Sequence, residues 1–434
     1  MKLVKMSLIA AMAMGTSAFA IDNVKVDGLA KLWYQTSEFG GNGATPAQKS
    51  QDFFDKGGNS IAQASLRVGA TADLLDNLSF GASAYAVSTL GLEGNLVGGV
   101  PALSDGTGNA NASAATDDQW WMRELWLAYT MGNTTAKVGR QELNTPLLFT
   151  EKWNVVDNTF DAVVLLNNDL PDTTLVGAWV GKHNGSGAGN TTVNTDGYFK
   201  TLGDHGAYAA GAINKSIPNT TLQAWYYDVQ AVANAYWLQA DTTQLDKMID
   251  FGVQFARKDP NTGQGDATNI WATKVGVNVL NSTFYAAYSA AGKGENGTNF
   301  SNVATDDKSN IYTAQGSIFM DGQHTTRSDT KAWKIGASTK AVPGVTLSTS
   351  YGQAKQGDNN GKRGAFNGLA IGNTDAGASR FKLSAFDVIA SGKAGPLNLT
   401  GIYTRYNQKA IDAAVGSADK KTWDAIRLIA ALPF

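Results

Sequence analysis

A two-residue rhythm of apolar and polar side chains runs through most of this chain, and few folds can absorb it at such length. From Ser60 to Leu74, the residues Ala62, Ala64, Leu66, Val68, Ala70, Ala72 and Leu74 share one face, while Ile61, Gln63, Ser65, Arg67, Gly69 and Thr71 take the other. The C-terminal stretch from Trp423 repeats it, with Ile426, Leu428, Ala430, Leu432 and Phe434 on one side. Successive side chains of a strand point to opposite faces, so each segment reads as a strand with one apolar face. Comparable segments begin near Val24, Ile61, Leu78, Gln119, Thr134, Thr159, Thr173, His205 and Asn219. Others begin near Val232, Met248, Thr268, Ser282, Lys331, Gly344, Ser379, Pro396 and Lys421, which brings the total to 18.

The connections alternate in length. Short ones carry turn residues, as in Leu75-Asp76-Asn77, Gly132-Asn133, Leu170-Pro171-Asp172, Ile217-Pro218-Asn219, Val342-Pro343-Gly344 and Gly395-Pro396. Three of these open similar strands (LPDTTLV, IPNTTLQ and VPGVTLS), a weak internal repeat of one hairpin. Long connections at 89–118, 142–158, 183–204, 291–330 and 356–378 are rich in Gly, Asn, Asp, Ser and Thr. Lipid offers no hydrogen-bond partner to a strand edge, so a spanning sheet has to close on itself. The pattern predicts an all-β transmembrane antiparallel barrel of 18 strands, with 16 as the alternative count. Short turns lie on the periplasmic side with both termini, and long loops lie outside. The outer connection at 228–234 has to be very short. A soluble solenoid or sandwich would show a fixed repeat or two-sheet burial.

Residues 1–20, MKLVKMSLIAAMAMGTSAFA, have a basic start, a short apolar core and a small-x-small end at Ala18-Phe19-Ala20. They read as a cleaved signal peptide, which leaves residues 21–434 as the barrel. The chain has no Cys, which excludes a disulfide framework, a thiolate zinc site and a thiol nucleophile. Its three His residues (His183, His205 and His324) stand on no strand beside a serine with an orienting acid, so neither catalysis nor a cofactor is expected. No charge pattern or motif supports nucleic-acid binding.

A Lys or Arg facing lipid near the midplane costs roughly 2–4 kcal/mol, so charges within strands are expected to face inward. Alternation assigns Arg67, Lys137, Lys274, Lys334, Arg380, Lys382 and Arg427 to a basic luminal track, with Asp27, Lys31 and Asp250 also inward. Such a track would draw anionic groups such as carboxylates. The adjacent Arg123 and Glu124 cannot both face inward in a regular strand. The connection 142–158, ELNTPLLFTEKWNVVDN, is less polar than the other long ones. It is expected to fold inward and constrict the channel, with Glu151, Lys152 and Asp157 at the narrowing. Phe434 ends an apolar alternating strand, the usual recognition feature for the barrel-assembly machinery.

Residues 121–180, WMRELWLAYTMGNTTAKVGRQELNTPLLFTEKWNVVDNTFDAVVLLNNDLPDTTLVGAWV, resemble the OprD-type porin family and the related major outer-membrane porins of some Gram-negative bacteria. The segment AWYYDVQAVANAYWLQAD at 224–241 is similar to its mid-barrel hairpin. The resemblance implies an 18-stranded barrel, an infolded third loop, diffusion of small hydrophilic solutes and ions, frequent homotrimers and an inward ladder of basic residues. It also places Arg140, where the third loop begins, at the constriction. The expected function is a passive diffusion channel in the outer membrane of a Gram-negative bacterium, with a preference for carboxylate-bearing solutes. The alternative is a structural or adhesive surface barrel whose pore is incidental.

Overall fold

The computed structural model describes residues 21–41, 52–55, 60–92, 96–97, 100, 119–185, 197–261, 265–294, 299–318, 322, 324–357, 381–410 and 420–434. The signal peptide and Arg380 lie outside these residues.

The first strands are β1 (Asp22–Gly41), β2 (Ser60–Leu75), β3 (Leu78–Ser88), β4 (Gln119–Met131), β5 (Thr134–Gln141) and β6 (Phe160–Asn167). Next come β7 (Thr173–His183), β8 (Lys200–Thr201), β9 (Ala207–Asn214), β10 (Thr220–Val229), β11 (Ala233–Gln244), β12 (Ile249–Pro260) and β13 (Thr268–Val279). The last are β14 (Ser282–Ala291), β15 (Thr330–Thr339), β16 (Val345–Gln356), β17 (Phe381–Ala394), β18 (Leu397–Ala410) and β19 (Lys420–Pro433). Each pairs antiparallel with its neighbours, and β1 pairs with β19 from Leu29 opposite Pro433 to Gly41 opposite Lys421. That pairing closes the sheet. The two-residue β8 only lengthens the top of β7, and β7 pairs directly with β9. The wall is therefore a closed barrel of 18 strands, and the 16-strand alternative is set aside. Each expected strand start falls within about two residues of a barrel strand.

The outer wall follows the rhythm. Leu32, Leu66, Leu125, Val163, Phe251, Val275, Ile335 and Leu428 all stand exposed on it. In lipid these side chains would be solvated by acyl tails, so their exposure is what a spanning barrel requires. The repeated Pro turns are alike in geometry. Asp172, Asn219 and Gly344 take positive φ values of 52°, 56° and 74° after a proline. Thr173, Thr220 and Val345 then donate back three residues at 3.0–3.1 Å. Proline presets the first corner, and Asp, Asn and Gly tolerate the left-handed second one. At the outer end of β10, only residues 230–232 connect to β11.

The inner face is not uniformly polar. Trp33, Tyr85 and Trp121 bury against Val155 and Val156 of the β5–β6 loop. Trp225, Tyr227, Trp237 and Ile270 bury against Leu147 and Leu148 of that loop and Phe300 and Ile311 of the β14–β15 loop. The inward aromatic residues are therefore the floor on which two loops are packed.

Candidate functional site

β5 and β6 have 8 residues each, short of the roughly 9–11 that span a membrane, because the chain leaves the wall early. Residues 142–159 then run inside the barrel as an inner loop, here called the first. Gly139 sits just before this departure at φ 121°, where a Cβ would collide with the Leu125 carbonyl.

The first loop is held by Arg123. Its register partner strand shows the cause: Ser83 pairs with Glu124 and Ala84 with Met122, so Arg123 is the extra residue of a bulge. The bulge turns both Arg123 and Glu124 inward, which regular alternation forbids. Arg123 is 1% exposed and forms ion pairs with Glu124, Glu142 and Asp157, the last at 3.1 Å. Asp157 also accepts from the Tyr85 hydroxyl at 3.1 Å. Lys152 pairs with Glu142 at 2.7 Å. Burial opposes ionisation of Glu142, but the Arg123 and Lys152 cations outweigh it and hold the carboxyl below its usual range.

The described residues of the β14–β15 connection, 292–294, 299–318, 322 and 324–329, form a second inner loop. The sequence reads this connection as external, and little in it signals the difference. Phe300, Ile311 and Ile318 are part of that signal, apolar side chains in a polar stretch, and all three are buried. The two loops meet in the lumen. Val303 N donates to Leu147 O at 2.9 Å, and Asn302 Nδ2 donates to Phe149 O and to Glu151 Oε1, each at 2.8 Å. Asn310 Nδ2 donates to Pro146 O at 3.0 Å. Thr305 also donates to Glu151, which is 4% exposed and so ties the loops together from inside their junction.

Most inward basic residues serve this partition. Arg427, 1% exposed, lies between the rings of Trp33 and Trp153 at 5.0 and 4.6 Å. It donates to Gln35 at 2.9 and 2.8 Å and to the second-loop carbonyls of Ser317 and Ile318 at 3.4 and 3.2 Å. Lys334 donates to Ala314 O at 2.5 Å. Lys274 pairs with Asp241 at 2.8 Å, over the Tyr312 ring of the second loop. Lys31 donates to Asn154 O at 2.9 Å. Arg67 pairs with Asp27, and Lys137 lies over the Trp126 ring at 4.0 Å. Asp250 accepts from Asn278 at 2.8 Å on the same inner face. Of the charged residues expected at the constriction, Lys152 is the open one, with its side chain 61% exposed.

Two expectations about side are corrected. Lys382 shares its face with the exposed Phe386 and Val388, while Leu383, Ala385 and Asp387 face inward, so Lys382 points out of the barrel. Its charge is tolerated there because it lies next to the outer end of β17, clear of the midplane. Arg140 pairs across the sheet with Leu125 and Asp161, both on the outer face. Its guanidinium forms an ion pair with Asp161 at 2.7 Å, donates to Met122 O at 2.8 Å and stacks on Phe199 at 3.4 Å. Arg140 therefore caps the upper edge of β4 that short β5 leaves unpaired, and it belongs to the wall instead of the constriction. Phe434 closes the barrel seam: its amide and carbonyl pair with Gly28 at 3.0 and 2.8 Å, and its ring covers that glycine.

Three comparisons bear on this geometry. The barrel superposes on OccK1 (OpdK) of Pseudomonas aeruginosa with a TM-score of 0.68 and 14% identity, over 95% of this chain and 98% of that one. OccK8 (OprE) of the same organism gives 0.68 and 12%, over 95% and 98%. A BenF-like porin of Pseudomonas fluorescens Pf-5 gives 0.67 and 13%, again over 95% and 98%. At these identities the likeness shows the shared barrel fold. No curated protein matches by sequence. The family model of the Campylobacter major outer membrane protein matches residues 1–326, three quarters of the sequence. The closed wall and its partitioned lumen are thus those of an outer-membrane porin of a Gram-negative bacterium, and the chain belongs to the Campylobacter major outer membrane protein family.

Proposed function

We propose that the protein is a passive, size-limited channel for small hydrophilic solutes and ions with weak charge selectivity. The observation that carries this reading is the junction of the two inner loops through Asn302 and Val303, which partitions the lumen. Diffusion through a wet, constricted lumen needs no catalytic group. The carboxylate preference expected from a basic track finds little support. Arg67, Arg123, Lys274 and Lys152 each face a carboxylate, and Arg427 and Lys334 are spent on loop carbonyls. A track neutralised in this way focuses little field.

The remaining partners follow from the wall. Self-association as a homotrimer is supported by an apolar groove of about 500 Å³ on its outer side, where Leu32, Tyr34, Ala62, Ala64, Gly401 and Ala430 leave room for a second copy. Recognition by the barrel-assembly machinery is supported by the seam position of Phe434. Planar-bilayer recording tests the channel: stable stepwise conductance with a reversal potential near zero in a salt gradient is expected. Silent membranes would favour a structural barrel, and a strongly anion-selective reversal potential would restore the basic track.

A further inference from the structure

The outer wall carries charge at one place that the channel does not use. Lys331 in β15 stands directly opposite Lys355 in β16, Lys355 opposite Lys382 in β17, and Lys382 opposite Lys409 in β18. The backbone series continues to Lys420 in β19. Lys331, Lys355, Lys382 and Lys409 are all exposed. Lys331 shares the face of Trp333 and Ile335, Lys355 that of Tyr351, Lys382 that of Phe386, and Lys409 that of Tyr403 and Arg405. The row thus crosses four adjacent strands on the lipid side, near the ends that lead into the long external connections.

Like charges directly opposite in a sheet have Cβ atoms roughly 4.5–5.5 Å apart and destabilise it. Three such contacts in succession need a compensating anion. Among the described residues, no carboxylate forms an ion pair with any of these four lysines, whereas Arg405 in β18 and, further round the same outer face, Arg257 in β12 pair with Asp424 and Asp259. Closer to the midplane, Trp333 packs on Tyr351 with ring centroids 5.6 Å apart, and Phe386 on Tyr403 at 6.4 Å. Paired aromatic rings on a barrel wall mark the boundary between acyl chains and headgroups. The lysines stand one to three pleats beyond it, at headgroup depth. Further round the wall, the outer ends of β2 and β4 present Ala62, Ala64, Trp120 and Met122 instead, so the row does not run on around the barrel.

We propose that Lys331, Lys355, Lys382 and Lys409 form a binding site for the phosphate groups of a lipid headgroup in the outer leaflet. Acyl chains lie along Ile335 and Val388, the aromatic rings sit at the ester level, and the four ammonium groups share the phosphates as compact point charges. The occupant is a lipid because the row lies on the acyl-facing wall, with the aromatic band immediately below it.

The test uses the full barrel in detergent, with native mass spectrometry counting bound bisphosphorylated lipid A, its dephosphorylated form, or inorganic phosphate. The wild type should retain the bisphosphorylated lipid in a salt-sensitive way. The quadruple variant K331Q/K355Q/K382Q/K409Q should lose roughly tenfold or more in affinity, and the matching Lys→Arg variant should keep it. Single-channel conductance of the variant should equal that of the wild type, because these side chains face away from the lumen. Should the quadruple variant fail to give the folded, heat-modifiable form, K355Q/K382Q at the centre of the row replaces it. Equal lipid affinity in the glutamine variant and the wild type overturns the proposal. So does equal retention of the dephosphorylated lipid, or displacement of the lipid by stoichiometric inorganic phosphate.

Discussion

Replacing Arg123 with methionine removes the one cation that three carboxylates share, and the consequence can be worked from their burial. The side chains of Glu124 and Glu142 are 18% and 33% exposed and can draw on luminal water once the guanidinium is gone. Asp157, with 9% side-chain exposure, keeps only the Tyr85 hydroxyl. Breaking a buried ion pair by deleting one partner costs about 3–5 kcal/mol. With two of the three acids partly rehydrated, the low end applies, about 3 kcal/mol. The cost falls on the seating of the first inner loop, because the ladders that hold the barrel are unchanged. At 1.36 kcal/mol per decade, the population of unseated loop should rise about a hundredfold. Single-channel recording should therefore show the variant switching between conductance levels that the wild type rarely visits. The reversal potential should also move toward cations, since one positive charge is lost beside Glu124, Glu142 and Asp157 while Lys31, Lys137 and Lys152 stay in place. An R123M channel with wild-type noise and wild-type selectivity would refute the claim that this cluster seats the loop and sets the charge of the constriction.

Other outcomes follow from neighbouring contacts. Asn302→Ala should leave the buried Glu151 short of a donor and cost the loop junction about 1–3 kcal/mol, seen as raised open-channel noise with an unaltered barrel unfolding midpoint. Glu142 is held ionised below its ordinary value of 4.5, so its contribution to loop seating is present above that value and lost as pH falls through the depressed one. Acid-induced flicker should begin below the ordinary glutamate range, and E142Q should remove that onset. His324 in the second loop is pushed down from 6.5 to about 3, first by burial and then by Arg327, so the folded loop holds it neutral. The released loop binds a proton that the seated one refuses, and seating should weaken by up to tenfold per pH unit between 6.5 and 3. His324→Phe, which keeps a ring beside Tyr406, should flatten that dependence in noise measured against pH.

The legible part of the site stopped where the chain left the wall. Arg67, Lys137, Lys274, Lys334 and Arg427 sit opposite apolar neighbours, and parity alone gave their face. Parity said nothing about what they would meet. Arg427 could not be foreseen between two tryptophans that lie 120 residues apart in sequence, nor Lys334 on the carbonyl of a loop read as external. For Lys382 the assumption that every strand charge turns inward overrode the alternation itself, which already grouped it with Phe386. The rule applies at the midplane and lapses at strand ends.

The sequence by itself determined the closed barrel. Side-chain period, turn chemistry at the Pro-Asp, Pro-Asn and Pro-Gly corners, and alternating connection lengths are local properties, and lipid admits one way for such a sheet to satisfy its edges. Only the tertiary structure decided what fills the cylinder. Which long loop turns inward depends on complementary surfaces far apart in the chain, as when Phe300 and Ile311 join Leu147 and Trp237. A one-residue bulge opposite Ser83 and Ala84 turned both Arg123 and Glu124 inward, and with them the charge balance around the first inner loop. A bulge of that kind is set by strand pairing; the neighbouring charges of Arg123 and Glu124 mark an irregularity in the run of side chains but do not place it.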